Sequence, residues 1–285
     1  MENRRNFLKT VMAGTAGGAR LAALGAREPY GAGPQAAGKA RTVPVAVIQF
    51  DAVSGQVDDN LHEMVRLSAT AAQAGARWIL FHELTTCDYV EKAESVVEPV
   101  PEGPSTKLMA NIAKRSQCFI AFGLAEIHRG RVYDALVFVG PRGYVYHYRK
   151  TWLWHRAKDT SFRDEWLRYD PGSGPEIFTI DGVRAACFIC SDGDSGRCIT
   201  ELAALQPQVV FYPNNREGWP SLDVFGKMAK TIQAPLLVAN RVGRSVIFDC
   251  PGGCAVFSAQ GEVLAQANRE GREEILHCKL EVSMV

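Results

Sequence analysis

Apolar residues along the chain fall into two kinds of run, and their lengths and spacings predict the elements. Residues 43–50 ("VPVAVIQF") are nearly continuous in Val, Ile and Ala, which predicts a buried strand. Residues 57–76 place Leu61, Met64, Val65 and Leu67 near helical spacing, with Gly75 as a stop signal. "RWILF" (77–81) is strand again, and "PSTKLMANIAKRSQ" (104–117) is a second helix with Pro104 suited to its first turn. "CFIAFGLAE", "RVYDALVFVG" and "YVYHYRK" follow as three successive strands, parted by Arg129-Gly130 and the turn "PRG". "EIFTI" and "VRAACFIC" pair around Asp181-Gly182. A helix beginning near Ser195, the strand "QVVFYP", the helix "WPSLDVFGKMAKTIQ" and the strand "PLLVAN" come next, and three short strands complete the chain. Strands that follow one another directly exclude a purely alternating parallel barrel. Strands that are apolar on both faces need cover on both sides, and two sheets with helices outside supply it. Residues 42–285 therefore read as one domain.

The composition changes little in this picture. At 285 residues the chain is long enough for a sizeable core, and 47% hydrophobic, 22% charged residues with a net charge of +1 are ordinary for a globular protein. Such a balance gives no electrostatic footprint for nucleic acid or an anionic membrane. No apolar run reaches the roughly 20 residues of a membrane span. The amino terminus does change the picture. Its adjacent Arg4 and Arg5, followed by Phe7, Leu8 and Lys9 and an Ala/Gly-rich stretch, resemble a twin-arginine export signal. A Gly/Ala/Pro-rich linker then runs to residue 41. Residues 1–41 thus read as signal and linker, and the mature protein as periplasmic with no membrane anchor; the other reading is a basic tail on a cytoplasmic protein.

Eight cysteines are too sparse for a disulfide scaffold. Cys187 and Cys190 form a lone CxxC, and alternation along "VRAACFIC" puts them on opposite faces. Cys187, inside the strand, reads as a small buried hydrophobe. Cys190 ends the strand beside a turn into a helix, where the positive end of the helix would favour the attacking thiolate. Glu83 follows the strand "RWILF" after one histidine, and Lys150 ends "YVYHYRK". Three chemically different groups thus sit at the exits of three buried strands, where functional loops are commonly mounted. A carboxylate can take a thiol proton and later activate water, and an ammonium can stabilise the charge of a tetrahedral intermediate. This division of labour requires no metal or other cofactor. His82, His128, His147 and His155 offer alternative bases for a Cys-His pair, although His147 lies within a strand.

"FHE" at 81–83, "YRK" at 148–150 and "FIC" at 188–190 resemble the three signature segments of the nitrilase superfamily, the carbon–nitrogen hydrolases. Cys190 lies forty positions after Lys150, an interval that resembles that family's. "GLAEIHRGRVYDALVFVGPRG", "LQPQVVFYPNN" and "GGCAVFSAQGEVLAQA" resemble further family segments in the right order, so the resemblance spans nearly all of 43–278. It implies a four-layer α-β-β-α sandwich that assembles as a homodimer or larger homo-oligomer. It implies Glu83 as general base, Lys150 as stabiliser, Cys190 as nucleophile and Glu126 as a second acid positioning Lys150 and substrate, with the Ser191 amide as an oxyanion donor. The implied reaction is hydrolysis of a small amide or N-carbamoyl compound through a thioester. The chain departs from the family in "SDGDSGR" after the nucleophile and in Asp134 where asparagine is usual. The altered stretch keeps a catalytically idle binding module open; an acyl transferase would use the same thioester, and a nitrilase is a further alternative that the residues after Cys190 disfavour, since they lack the Trp-Glu pair common to that branch. A thiol–disulfide enzyme using Cys187 and Cys190 is a further rival.

Overall fold

The computed structural model describes residues 40–155, 164–218, 221–246, 248–268 and 270–283, all within one compact unit. The expected export signal and linker lie outside the described residues, apart from Ala40 and Arg41.

In chain order the strands are β1 (Ala40–Gln49), β2 (Trp78–Leu80), β3 (Phe119–His128), β4 (Arg131–Gly140), β5 (Gly143–Arg149), β6 (Phe178–Ile180) and β7 (Val183–Cys187). They continue with β8 (Val209–Asn214), β9 (Leu236–Asn240), β10 (Val242–Arg244), β11 (Asp249–Pro251), β12 (Ala255–Phe257), β13 (Val263–Gln266) and β14 (Glu274–Ser283). The α-helices are α1 (Val57–Gln73), α2 (Pro104–Ser116), α3 (Gly196–Ala204) and α4 (Leu222–Ile232). One six-stranded sheet has the order β14-β1-β2-β3-β4-β5, the other β13-β12-β9-β8-β7-β6. The central pairs β1/β2, β2/β3, β7/β8 and β8/β9 are parallel, and the outer strands are antiparallel.

Alternation explains why these runs are apolar throughout. Along β4, Leu136 and Phe138 enter the core between the sheets, while Ala135, Val137 and Val139 pack with α1 and α2. Along β8, Val209 and Phe211 face the other sheet, and Val210 and Tyr212 pack with α3 and α4. The result is the four-layer α-β-β-α sandwich. Among the described residues five strands, not three, follow residue 240, and the last is ten residues long. It pairs along all of β1, Ala40 opposite Ser283 and Gln49 opposite Glu274, so the two chain ends of the domain close the first sheet. Local pattern cannot show such a pairing, because the partners are more than 200 residues apart. Among the described residues, no helix is long and apolar enough to cross a membrane.

The sequence reading ran the seventh strand through Cys190, but β7 stops at Cys187. Cys190 opens a 3₁₀ turn, Cys190–Asp194, in the left-handed region at φ 44°. Backbone conformation, and not strand alternation, therefore orients its side chain. The α-helix starts only at Gly196, capped by Ser195, whose Oγ accepts from the Cys198 amide at 3.3 Å.

Candidate active site

Glu83, Lys150 and Cys190 all follow the carboxyl ends of strands, β2 and β5 in one sheet and β7 in the other. Gly123 on β3 makes room for the Glu83 loop. A Cβ there would collide with the backbone of Glu83 and Leu84, and the Thr86 amide donates to the Gly123 carbonyl at 3.1 Å. The loop lies flat on the sheet and carries Glu83 into the fully buried interior.

Lys150 is the hub. It is fully buried, and its Nζ donates to Glu83 Oε1 at 2.6 Å and to Glu165 Oε1 at 2.7 Å, with Asp134 Oδ2 at 3.6 Å. Burial alone would favour a neutral amine, but the carboxylates of Glu165 and Glu83 outweigh it and hold the pKa well above its ordinary value. Three acids around one ammonium cannot all ionise cheaply in such a place. Burial, followed by the charge of Glu83, raises Asp134 well above the usual carboxylate range, and burial also raises Glu165. Glu83, Asp134 and Glu165 also have the spacing of a cation site, but the Lys150 ammonium already sits among them.

Glu165 is the residue the sequence reading missed, and it corrects the expectation for Glu126. The Glu126 carboxylate takes two hydrogen bonds from Arg149, at 2.7 and 2.5 Å, with His147 Nε2 at 3.6 Å. Register gives the reason. Glu126 pairs with Tyr133, and Arg149 with Ala135, so all four face one side of β3–β5. Asp134 faces the other side, where Lys150 meets it. Glu165 comes instead from a 3₁₀ turn, Glu165–Leu167, in the long connection between β5 and β6. Its Oε1 also accepts from Tyr89 Oη at 2.7 Å, and its Oε2 from the Trp154 amide at 2.7 Å. That connection has no periodicity to read, and nothing in the sequence sets Glu165 apart from Asp159 and Asp164, the other acids between Trp154 and Trp166.

Cys190 lines a cavity of about 230 Å³ together with Tyr89, Trp154, Glu165, Ser191 and Arg216. The thiol departs from expectation. Burial first, then the charge of Glu83, push its pKa well above the ordinary value, against the opposing charges of Arg216 and Lys150. It rests as a neutral thiol, so a base has to take its proton. Glu83 Oε2 is buried with no hydrogen-bond partner among the described residues, and the charges of Lys150 and Glu165 also reach the same sulfur. No described histidine pairs with it: His82 Nδ1 meets the Glu83 carbonyl at 2.8 Å, and burial lowers its pKa to about 3. His155 pairs with Asp164 at 2.7 Å. Cys187 is buried between the sheets and, like all eight cysteines, is unpaired.

The Ser191 hydroxyl turns away and donates to the Trp152 carbonyl at 2.6 Å, whereas its amide N–H has no acceptor among the described residues. Asp192 ties the nucleophile turn to the Lys150 loop. Fully buried, it accepts from the amides of Trp152 (2.7 Å), Thr151 (3.1 Å) and Ile189 (2.8 Å) and from Tyr148 Oη (3.0 Å). Burial raises its pKa to about 6 in spite of these donors. Below that pH one oxygen gains a proton and stops accepting, so turnover is expected to fall along an acid limb centred near pH 6. Because the folded pKa lies above the unfolded 3.8, folding favours this protonation, and between those values the group's contribution to stability rises as pH falls. The rate is therefore lost with the fold intact. Rate against pH with tryptophan fluorescence in parallel checks this; an unchanged limb in Asp192→Asn would assign it elsewhere.

A layered fold with two sheets at its centre, and an acid, a lysine and a cysteine gathered at strand ends, define a class of hydrolase. The chain belongs to the carbon-nitrogen hydrolase family, whose model matches residues 44–285, and it is a carbon–nitrogen hydrolase of the amidase/nitrilase type. It is similar to an (R)-stereoselective amidase from a Pseudomonas species, 28% identical over 245 residues that cover 81% of this chain and 82% of the relative. A nitrilase from Pyrococcus abyssi is 25% identical over 248 residues, covering 85% and 91%. Among solved structures, an amidase of the nitrilase superfamily from Nesterenkonia AN1 superposes with a TM-score of 0.73 at 19% identity, over 84% of this chain and 90% of that one.

Proposed function

We propose that this enzyme hydrolyses a small amide or N-carbamoyl compound through a thioester on Cys190. The observation that carries the reading is Glu83 Oε2, which has no hydrogen-bond partner among the described residues, while Lys150 holds Oε1 and the charges of both groups act on the Cys190 thiol. Glu83 takes the thiol proton as sulfur attacks the carbonyl carbon. The Lys150 ammonium has three donors, of which Glu83 and Glu165 use two, so the third remains for the oxyanion. The Ser191 amide supplies a second donor. As the tetrahedral intermediate collapses, the proton on Glu83 passes to the departing nitrogen and the C–N bond breaks. Water, deprotonated by Glu83, then attacks the thioester; acid is released and the sulfur recovers its proton. The cavity of about 230 Å³ suits a small acyl group. The relatives support an amide: one is an (R)-stereoselective amidase, and a mutant of the Nesterenkonia amidase carries the acetamide moiety of fluoroacetamide on its active-site cysteine.

Ammonia release from primary amides, N-carbamoyl amino acids and nitriles tests the reading. Turnover of an amide or carbamoyl compound is the expected result, and turnover of nitriles alone would overturn it. The acid beside Lys150 is tested separately. Glu165→Gln is expected to lower kcat at least about tenfold by weakening the hold on the ammonium, whereas Glu126→Gln stays within about threefold of wild type. The reverse order would return the positioning role to Glu126.

A further inference from the structure

Arg216 lies two residues beyond β8 and lines the cavity, yet nothing in the reaction as derived uses it. Its Nη2 donates to the Cys190 carbonyl at 2.5 Å, and Tyr212 Oη donates to the same oxygen at 2.8 Å. The guanidinium is itself fixed: Nε donates to Asn214 Oδ1 at 2.8 Å, and Nη2 also meets Tyr212 Oη at 3.0 Å and Asp194 Oδ1 at 3.1 Å. Its backbone N–H is held by Asn240 Oδ1 at 2.9 Å. Asp194 closes the same 3₁₀ turn that Cys190 opens. One side chain therefore grips the nucleophile turn at both ends and anchors it to β8.

The carbonyl it grips is half of a peptide unit whose other half is the Ser191 N–H. In a planar trans peptide the C=O and N–H point in opposite directions, so fixing the oxygen fixes the line of the amide. Cys190 also holds φ 44°, a conformation that a non-glycine residue keeps only where its surroundings over-determine it. Gly193 belongs to this arrangement, because a Cβ there would collide with the Tyr212 hydroxyl.

We propose that Arg216 is a positioning residue: by anchoring the Cys190 carbonyl it holds the left-handed turn that presents the thiol to the cavity and aims the Ser191 amide at the oxyanion. This rests on the thioester reading above. Without the guanidinium the Cys190 carbonyl keeps only the Tyr212 hydroxyl of these two side-chain donors, and the loosened Cys190–Ser191 peptide misdirects the nucleophile and one oxyanion donor together. Substrate binding, which depends on the rest of the cavity, changes little. The positive charge beside the sulfur also opposes the rise in the thiol pKa.

The test compares wild type, Arg216→Met and Arg216→Lys by steady-state kinetics on an amide substrate and by iodoacetamide alkylation at pH 8, with Cys190 followed by peptide mass mapping. Arg216→Met is expected to lower kcat about tenfold or more with KM within about threefold, and to slow Cys190 alkylation by about tenfold. Arg216→Lys, which keeps the charge and loses the fork, falls between the two. A higher KM with wild-type kcat would make Arg216 a substrate contact, and unchanged kcat and alkylation in Arg216→Met would remove the role; either overturns the proposal. If thermal unfolding shows Arg216→Met unfolded, Arg216→Lys decides, and wild-type behaviour there refutes the need for the fork. Absence of amide turnover in wild type would sink the hydrolytic reading alone, because the alkylation arm needs no substrate.

Discussion

Cys190→Ala is expected to reduce amide turnover by roughly 10⁴-fold or more, to the level of a folded protein without a nucleophile. The size follows from what else is within reach. The neighbouring hydroxyl cannot substitute, because Ser191 Oγ is committed to the Trp152 carbonyl at 2.6 Å. Cys187 lies in the strand before the turn, packed between the sheets. Removing one sulfur leaves the backbone free to keep its turn, so the melting temperature should move by only a few degrees and the loss should appear in kcat. Ammonia release and thermal unfolding measured on the same preparation check both halves. Residual activity within a hundredfold of wild type would mean that the thioester is not on the path.

Glu83→Gln carries the next largest effect, on the order of 10² to 10⁴ in kcat. A glutamine oxygen can still accept from Lys150, so the buried lysine keeps two partners in Glu83→Gln, and the fold should survive. The amide cannot take a proton from a thiol whose resting form is neutral. The same group serves twice, once on the thiol and once on water, so both halves of the reaction slow. With an activated ester, whose leaving group needs no proton, only one of the two duties of Glu83 in acylation lapses, so acylation should lose less than with an amide while release of the acyl group stays fully impaired. A mass adduct on Cys190 should then accumulate in the variant and not in wild type. Turnover in Glu83→Gln within fivefold of wild type would show that another group removes the proton.

The sequence by itself determined the layers. Continuous apolar strands such as 43–50 and 131–140 and amphipathic helices at 57–73 and 104–116 are local patterns, and local pattern fixes which faces must be covered. It also marked Glu83, Lys150 and Cys190, because a polar group at the end of a buried strand stands out against its own neighbours. The tertiary structure alone decided which acid meets Lys150. The family resemblance pointed to Glu126 alone, but register turns Glu126 towards Arg149, and a loop with no periodicity brings in Glu165. It decided the state of the thiol as well, since burial and the charge of Glu83 act through space and outweigh any nearby helix end.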